Sequence, residues 1–398
     1  MTANLYLDIH VLQTVPPSNL NRDDSGTPKQ AIFGGVRRAR VSSQAWKRAT
    51  RKYFSETALS SEQATRTQRV TSLLTKSLAD KTGLSPEQAG RVATALLAPL
   101  HISVKKKKDG TPDVEGASAY LLFFGREQLE SIANKAAAQL PDDGVEGLSD
   151  KEIEEAVKSV KAQEELMMGH PLDVALFGRM VADLAEINVD AAVQVAHAIS
   201  THAVEFEADY YTAVDDEKSR SEGDDMGAGM IGYVEYNSAT LYRYATLGVH
   251  QLAANLGGDQ TATVDGARRF LEGFARSMPT GHQTSFAHRT LPEAVIVVAR
   301  GDQPVNLVSA FEEPVKAVQV VGGYATPSLD ALAKEYLAIN TQWGGNPRVL
   351  AGLYSASSVE SGKTRENVEA AFGPSHSFNE ILATTAEAVA AHLGGANQ

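Results

Sequence analysis

The hydrophobic pattern near the N-terminus predicts a β-strand over residues 5 to 12. In the segment LYLDIHVL, every second residue from Leu5 to Val11 is aliphatic, whereas Asp8 and His10 fall between them. A period of two places the aliphatic side chains on one face, so we expect a half-buried strand with Asp8 and His10 on the opposite face. The two prolines that follow are expected to end the strand, because proline fixes φ and lacks a backbone donor.

A short helix is predicted over residues 42 to 54, in the segment SSQAWKRATRKYF. A serine at position 42 or 43 supplies the N-cap. At about 100° per residue, the four cations of this segment fall within an arc of roughly 140°, and the apolar residues occupy the other side. The four cations are Lys47, Arg48, Arg51 and Lys52. We therefore expect one face to lie in the core and the other to present a stripe of positive charge.

The rest of the chain divides by pattern into a helical insertion, a hairpin and a buried strand. Alanine and leucine at helical spacing dominate residues 55 to 165. The Ala/Val spacing of NVDAAVQVAHAISTH, residues 188 to 202, favours a helix packed on a sheet. Residues 204 to 244 contain two aromatic and β-branched arms around a polar tip, which is typical of a β-hairpin. The run AVIVVA, residues 294 to 299, predicts a buried strand.

Composition narrows the class of protein. The chain has 398 residues, of which 43% are hydrophobic and 22% are charged, so it is long enough for two or three structural units. It contains no cysteine, which excludes disulfides, thiolate zinc sites and cysteine nucleophiles. The N-terminus lacks the pattern of a signal peptide, and the longest strongly apolar run is too short to cross a membrane. We therefore expect a soluble, cytoplasmic protein.

Positive charge is concentrated in one segment of an otherwise acidic chain. The net charge is −12, but residues 22 to 52 contain nine Lys or Arg against two Asp, which leaves −19 for the remainder. Arginine forks fit phosphate oxygens, and the pair Gly34-Gly35 would let backbone N–H groups approach a phosphate closely. The segment therefore favours a polyanion partner over a solvated helix face. Spacing alone does not separate RNA from DNA, and the phosphate-binding pattern GxxxxGK[ST] is absent.

The acidic pair Asp23-Asp24 is a weak candidate for a nuclease metal site. Adjacent residues of an extended chain point to opposite sides, so one site rarely uses both carboxylates. Similar pairs recur elsewhere in the chain, at positions 142–143, 215–216 and 224–225. We expect Asp23 and Asp24 to orient the neighbouring Arg22 and Lys29 instead.

Histidines and a lysine run supply the remaining candidates. His197 and His202 are five residues apart, which does not match the i, i+4 spacing of a helical zinc pair, so both are predicted to be structural. The motifs G-x-S-x-G, HExxH and G-x-G-x-x-G do not occur. The run Lys105 to Lys108 is typical of a solvated loop, and weak, sequence-independent contact with nucleic acid is the alternative.

The segment LNRDDSGTPKQAIFGGVRRARVSSQAWKRATRK, residues 20 to 52, closely resembles the signature of a known family. That family is the CasC family, the backbone subunit of the type I-E CRISPR Cascade surveillance complex. The shorter segments ALFGRM, AHAISTH, TAVDD, YRYA and AFEEPVKA are also similar to the family, in the same order along the chain. Residues 55 to 165 match weakly, so no site residue is transferred to them.

The resemblance implies an α+β fold shaped like a hand. Its parts would be a ferredoxin-like, RRM-related palm, a helical fingers insertion and a β-hairpin thumb. On this basis the sequence is divided into a first part of the palm (1–54), the helical fingers insertion (55–180), a palm helix (181–203), the thumb hairpin (204–235) and the remainder of the palm with the C-terminal helices (236–398).

The resemblance further implies a non-catalytic subunit that oligomerises along the spacer of a CRISPR guide RNA and presents the guide to target DNA. Met180 and Ile231 match apolar positions that wedge beside a displaced nucleotide, a task that needs shape rather than charge. The implied partners are the guide RNA, target DNA through the guide, other copies of the chain and other Cascade subunits, and no cofactor, metal or membrane is expected. The residues implied to bind RNA are Arg22, Lys29, Arg37, Arg38, Arg40, Lys47, Arg48, Arg51 and Lys52.

Two alternative functions remain open at the level of sequence. Relatives in other CRISPR branches place an aspartate in the thumb region for target cleavage. The first alternative is therefore a metal-dependent RNA-cleaving subunit, in which Asp215 or Asp216 would be the catalytic candidate. The second alternative is a protein–protein scaffold with an incidental basic patch. Metal-dependent cleavage of a complementary strand would support the RNA-cleaving alternative. An RNA affinity that does not change when the cations are removed would support the protein–protein scaffold.

Overall fold

A computed structural model describes most of the chain. The described residues are 4–57, 64–100, 121–141, 144–181, 185–213, 230–318, 323–345, 347–354 and 363–395. They mix helices with a large antiparallel sheet and divide into two compact units. Unit 1 comprises Met1–Tyr53, Gln194–Gly248 and Ala267–Gln398, and unit 2 comprises Phe54–Val193 and Val249–Gly266. Among the described residues, no helix combines the length and apolar character that crossing a membrane requires.

Strands occur mainly in unit 1. Their bounds are β1 Tyr6–Ser18, β2 Gln30–Phe33, β3 Val36–Val41, β4 Ala64–Thr67, β5 Leu122–Gly125, β6 Val193–Val195, β7 Ala198–Ser200, β8 Glu207–Ala213, β9 Met230–Gly248, β10 Ala294–Arg300 and β11 Arg348–Tyr354. The large sheet has the order β11-β10-β1-β9-β7-β3-β2, with β6 and β8 pairing separately with β9. Strands β4 and β5 form a separate two-stranded sheet in unit 2.

Helices cover the sheet of unit 1 and build most of unit 2. Their bounds are α1 Ser43–Thr57, α2 Val70–Thr82, α3 Pro86–Leu97, α4 Arg126–Ala137, α5 Asp150–Val157, α6 Ala162–Leu166, α7 Leu172–Phe177, α8 Val249–Asn255, α9 Gln260–Arg276, α10 Gln283–Phe286, α11 Ala325–Trp343, α12 Lys363–Phe372 and α13 Phe378–Gly395. The apolar stripes of α2 to α6 meet in one core, which contains Leu74, Val92, Leu96 and Ile132. The helical character predicted for residues 55 to 165 is therefore confirmed in the described parts of that range, which also contain the β4–β5 ribbon.

Strand β1 lies at the centre of the sheet and is buried on both faces. It pairs antiparallel with β9 on one side and β10 on the other, and Asp8 and His10 are 0% and 2% exposed. The predicted strand is confirmed, but its half-buried character is wrong, because helix α11 covers the face that carries these polar residues. The His10 Nδ1 atom lies 2.9 Å from the Tyr242 hydroxyl, and Asp8 Oδ1 accepts a hydrogen bond from Tyr244 at 2.8 Å. The Arg300 guanidinium completes the network by pairing with Asp8 Oδ2 at 3.2 Å.

The prolines after the predicted strand do not end it. β1 continues through Pro16-Pro17 to Ser18, because the pairing with β9 is interrupted by an irregularity between Val15 and Ser18. The ladder resumes where Ser18 faces Asn237. A bulge accommodates residues that lack backbone donors, so the strand is longer than the proline rule predicts.

The helix predicted within residues 181 to 203 is wrong. This segment contains a short 3₁₀ turn at Ala185–Ile187 and the two strands β6 and β7. Ile199 of β7 pairs with Arg40 of β3 and with Tyr242 of β9, so β7 fills the position between these two strands. The backbone hydrogen bonds that the sheet requires at this position therefore override the helical spacing of alanine and valine.

Candidate nucleic-acid interface

The first cations lie on a tight hairpin formed by β2 and β3. Gly34 and Gly35 make its two-residue turn, with φ values of 58° and 76°, which suit the backbone twist of a hairpin. A Cβ atom on Gly34 would also overlap the backbone carbonyl of Glu312, whereas Gly35 faces open space. The paired glycines are thus explained by the turn and by close backbone packing, without a bound phosphate.

The loop before the hairpin is organised by Asp23. Its Oδ1 atom accepts backbone hydrogen bonds from Ser25 and Thr27, both at 3.0 Å. This carboxylate therefore stabilises its own loop, and the prediction that it orients Arg22 and Lys29 is wrong.

Helix α1 presents the predicted face of positive charge. The hydroxyl of Ser42 accepts a hydrogen bond from the Ala45 N–H at 3.3 Å, which confirms the predicted serine cap. Arg48 and Lys52 are exposed, whereas Lys47 and Arg51 are half-buried. Burial lowers the pKa of Lys47, because its ammonium group loses part of its hydration.

Trp46, on the opposite side of α1, packs against a buried arginine of the sheet. The guanidinium carbon of Arg243 lies 3.7 Å from the centre of the Trp46 ring and 4.6 Å from that of Phe274. Its Nη1 group donates to Gln13 Oε1 at 2.5 Å, and its Nη2 group donates to the carbonyl of Phe274. Burial lowers the pKa of Arg243 to about 9. The cationic helix is therefore fixed to the sheet by stacking on a buried guanidinium.

Most of the predicted RNA-binding cations are accessible to solvent and lack acidic partners. Arg22, Arg37 and Arg48 are exposed, and Lys29 and Arg40 are half-buried. Within the described ranges, no carboxylate forms an ion pair with Arg22, Lys29, Arg37, Arg38, Arg40, Lys47 or Arg48. Elsewhere in the described chain, lysines and arginines commonly pair with carboxylates, so this segment is available to an external anion.

Arg38 is the exception, and its prediction as an RNA-binding residue is corrected. Its side chain is 0% exposed. The guanidinium donates to the carbonyls of Phe33, Ser200, Phe311 and Glu312 at 2.8 to 3.2 Å. Because all four hydrogen bonds go to backbone oxygens, Arg38 links β3 to two distant segments and is not accessible to a ligand.

Two histidines from distant parts of the chain contact the cationic segment. Arg40 donates from Nη1 to His197 Nδ1 at 3.2 Å, and Arg22 donates from Nη1 to His282 Nε2 at 3.3 Å. Burial, with the nearby Arg40 and then Lys29, lowers the pKa of His197, which keeps its ring neutral as an acceptor. No local sequence pattern indicates either contact, because each joins residues more than 150 positions apart.

His202 is structural, as predicted. Its ring is buried and stacks on Tyr324 with 3.6 Å between ring centroids. The Nδ1 atom lies 2.9 Å from the Ala203 carbonyl, and Nε2 accepts a hydrogen bond from the Thr240 N–H at 3.1 Å. This acceptor role requires a neutral ring, and burial lowers the pKa of His202 accordingly.

The two predicted wedge residues lie in different units. Met180, in unit 2, is 85% exposed, and it follows Arg179, whose buried guanidinium donates to the carbonyls of Leu166 and Ile187. Ile231, in unit 1, has its backbone paired with Thr212 in the β8–β9 hairpin. The side chain of Ile231 lies outside the described part of the structure.

Some predicted features lie outside the described residues. These are Lys105 to Lys108 and the acidic pairs at positions 142–143, 215–216 and 224–225. In the described part of the chain, histidines and acidic residues form no group of three or more that could hold a metal ion.

The chain is similar to proteins of CRISPR surveillance complexes. The sequence profile of a family described as CT1975-like protein matches residues 7–382. A solved structure titled "CRISPR RNA-guided surveillance complex, pre-nicking" is 30% identical with a TM-score of 0.76, over 96% of this chain and 100% of that chain. A second, titled "CRISPR RNA-guided surveillance complex", is 27% identical with a TM-score of 0.66, over 96% of this chain and 99% of that chain. A comparison with curated proteins gave no match.

Proposed function

Because this chain belongs to the CT1975-like protein family, we propose that it is a guide-RNA-binding subunit of a Cascade-type CRISPR surveillance complex. The two similar structures reported above are titled as RNA-guided surveillance complexes and match nearly the full length of the chain. The observation that carries the proposal is the solvent-accessible positive charge, without carboxylate partners in the described ranges, of Arg22, Lys29, Arg37, Arg40, Lys47 and Arg48. A polyanion is the partner that this charge fits best.

The chemistry of the surface favours contact with the nucleic-acid backbone over reading of bases. Its accessible groups are guanidinium and ammonium donors, which fit phosphate oxygens in any sequence context. A guide RNA must be held whatever its sequence, because the spacer varies, and its bases must stay available for pairing with a target. A cationic grip on the sugar–phosphate backbone meets both needs.

The finer parts of the proposal rest on the resemblance to the CasC family. They are membership in a type I-E complex, oligomerisation along the guide spacer, presentation of the guide to target DNA and a cytoplasmic location. Unit 1 would contain the ferredoxin-like palm, unit 2 the fingers insertion and the β8–β9 hairpin the thumb. The exposed Met180 suits a wedge beside a displaced nucleotide, and Ile231 would act as the second wedge from the thumb.

A salt titration of RNA binding tests the proposed function. We expect the variant Arg22→Ala/Arg37→Ala/Arg48→Ala to bind single-stranded RNA of any sequence more weakly than the wild type. Each lost phosphate contact removes about 0.7 from the slope of log K against log salt concentration, so the slope should become shallower by about 2. Fluorescence anisotropy with labelled RNA of two unrelated sequences measures both quantities.

A matched variant removes equal charge from other exposed positions of the chain. Lys158→Ala/Lys334→Ala/Arg365→Ala changes three cations that pair with carboxylates in the structure, and it should leave the slope unchanged. Equal effects of the two triple variants would refute a specific site. The proposed subunit is non-catalytic, so the RNA-bound protein with magnesium should leave a complementary strand intact. Cleavage that Asp216→Ala abolishes would instead establish the RNA-cleaving alternative.

A further inference from the structure

His197 places an ionisable ring beside two cations of unit 1. It lies in the link between β6 and β7, and it is exposed to solvent. Its Nδ1 atom accepts a hydrogen bond from Arg40 Nη1 at 3.2 Å. Among the described residues, the charged groups that act on the pKa of His197 are Arg40 and, after it, Lys29, and both are positive. A lysine, an arginine and a histidine therefore share one patch of surface without a carboxylate from the described chain.

Three segments that are distant in sequence hold these side chains together. The Lys29 N–H donates to the carbonyl of Asn21 at 2.8 Å, and the Arg40 N–H donates to the carbonyl of Lys29 at 2.9 Å. The Nε group of Arg40 donates to the carbonyl of Gln30 at 3.0 Å. Strand β3 in turn pairs with β7 where Arg40 faces Ile199, two residues beyond His197. The loop before β2, strand β3 and the β6–β7 link thus form a preorganised site.

Each of the three side chains retains a donor that is available to a ligand. The ammonium group of Lys29 and the Nη2 group of Arg40 have no hydrogen-bond acceptor within the described part of the chain. The same holds for Nε2 of His197, which carries the hydrogen of the neutral ring because Nδ1 is the acceptor. Three donors from cations and a histidine fit the oxygens of a phosphate group.

The bond from Arg40 favours the neutral form of His197. A protonated imidazole has two donors and no acceptor, so protonation would break this bond and place three positive charges side by side. Burial, with Arg40 and then Lys29, accordingly lowers the pKa of His197. A bound phosphate reverses this effect, because an opposite charge within about 4–6 Å favours the charged form of a histidine. Phosphate and proton therefore strengthen each other's binding at this site.

We propose that Lys29, Arg40 and His197 bind one phosphate group of the guide RNA, and that His197 takes up a proton from solvent when the phosphate binds. The inference rests on the proposed function, and it adds to the binding surface a residue that lies outside the cationic segment of residues 22 to 52. Without RNA, His197 is an acceptor that orients Arg40. In the complex, its ring is a cation that donates to a phosphate oxygen, so RNA affinity rises as the pH falls.

Binding of a labelled oligouridine at two pH values and constant salt concentration tests this assignment. Uridine does not titrate between about pH 7.5 and 5.5, whereas histidine does, so a change in affinity reports on the protein. We expect the full-length wild-type protein to bind about 5-fold more tightly at the lower pH, since a pKa shift of one unit corresponds to a factor of about 10 in affinity. Partial unfolding in acid would weaken binding and therefore does not produce this increase.

Isothermal titration calorimetry measures the proton directly. In two buffers of different ionisation enthalpy at about pH 6, the wild type should take up about half a proton per bound subunit. His197→Gln keeps an acceptor for Arg40 but does not ionise. It should bind within about 2-fold of the wild type at about pH 7.5 and lose both the pH dependence and the proton uptake. His197→Ala should bind about 3-fold more weakly at about pH 7.5 as well, because Arg40 loses its acceptor.

The comparison variant His376→Gln changes a partly buried histidine elsewhere in unit 1 and should keep the pH dependence of the wild type. A wild-type affinity that does not rise at the lower pH would refute the role of His197 while RNA binding stands. The assignment is equally wrong if His197→Gln retains the rise or if His376→Gln loses it. Failure of the wild type to bind oligouridine at either pH would overturn the proposed function itself.

Discussion

At the scale of residues, adjacent arginines of β3 have opposite roles. Arg37 is exposed, and its guanidinium lies 5.7 Å from the Phe206 ring, whereas Arg38 is buried among backbone carbonyls. Composition counts both as cations, so the charge of the segment could not separate them. The alternation of a β-strand does separate them, because successive side chains of a strand point to opposite faces. The assignment of Arg38 to the guide follows from the resemblance of the whole segment to the CasC family, which does not distinguish the two faces of the strand.

The two arginines predict different consequences for stability. Arg38→Met should lower the free energy of unfolding by about 3 kcal/mol, because several buried carbonyls lose their donor. Arg37→Met should change it by less than about 0.5 kcal/mol, because the residue is exposed. Urea denaturation monitored by tryptophan fluorescence measures both, and equal midpoints for the two variants would contradict the buried role of Arg38.

At the scale of elements, local signals predicted α1 well and β7 badly. The serine cap, the apolar side with Trp46 and the cationic face of α1 are all encoded within the helix itself. The segment of β6 and β7 has a helical spacing of small residues, yet it is needed as a strand between β3 and β9. No local pattern reveals that need, because the partner strands lie about 160 and 40 positions away in sequence.

The turn of the β2–β3 hairpin gives a test at this scale. Gly34→Ala should destabilise the protein by about 2 kcal/mol or more, because alanine is strained at positive φ and its Cβ would overlap the carbonyl of Glu312. Gly35→Ala introduces only the backbone strain of a positive φ, so it should lower the free energy of unfolding by about 1 kcal/mol. Denaturation midpoints of the two variants compare them directly, and a larger effect at Gly35 would contradict the described packing.

At the scale of the whole molecule, the sequence predicted where positive charge is concentrated, but not which distant residues contact that segment. The concentration of positive charge identified the segment from Arg22 to Lys52 without any structure. His197 and His282 contact that segment only through the fold, and nothing in their local sequence indicates these contacts. The distribution of charge is visible in the sequence itself, whereas hydrogen bonds between residues distant in sequence depend on the tertiary structure.

The buried histidines predict a loss of stability in mild acid. Burial, aided by Arg300, lowers the pKa of His10 to about 3, whereas an unfolded histidine titrates near 6.5. The unfolded chain therefore takes up a proton that the folded chain excludes, so the stability is full above about pH 6.5 and declines as the pH falls toward 3. Between about pH 7.5 and 5, His10 alone should account for a loss of about 2 kcal/mol.

Urea midpoints at these two pH values measure this loss. His170, His197 and His202 also have lowered pKa values and should add to it in the same direction. His10→Gln should reduce the pH dependence by about 2 kcal/mol, even if it lowers stability at both pH values. The variant His376→Gln, which changes a partly buried histidine, provides the comparison for this pH dependence. A pH dependence unaltered by His10→Gln would show that His10 is not the source.

The stacking of Trp46 on Arg243 has a consequence for the geometry of the bound strand. Turning or sliding α1 would strip the aromatic cover from a buried charge, which is energetically costly, so the helix keeps a fixed setting on the sheet. The distances between the cations of α1 and those of the β2–β3 hairpin are consequently constant. If the proposed function holds, a flexible single strand laid across these cations must adopt the spacing that the protein sets, so every guide would acquire the same backbone shape whatever its sequence.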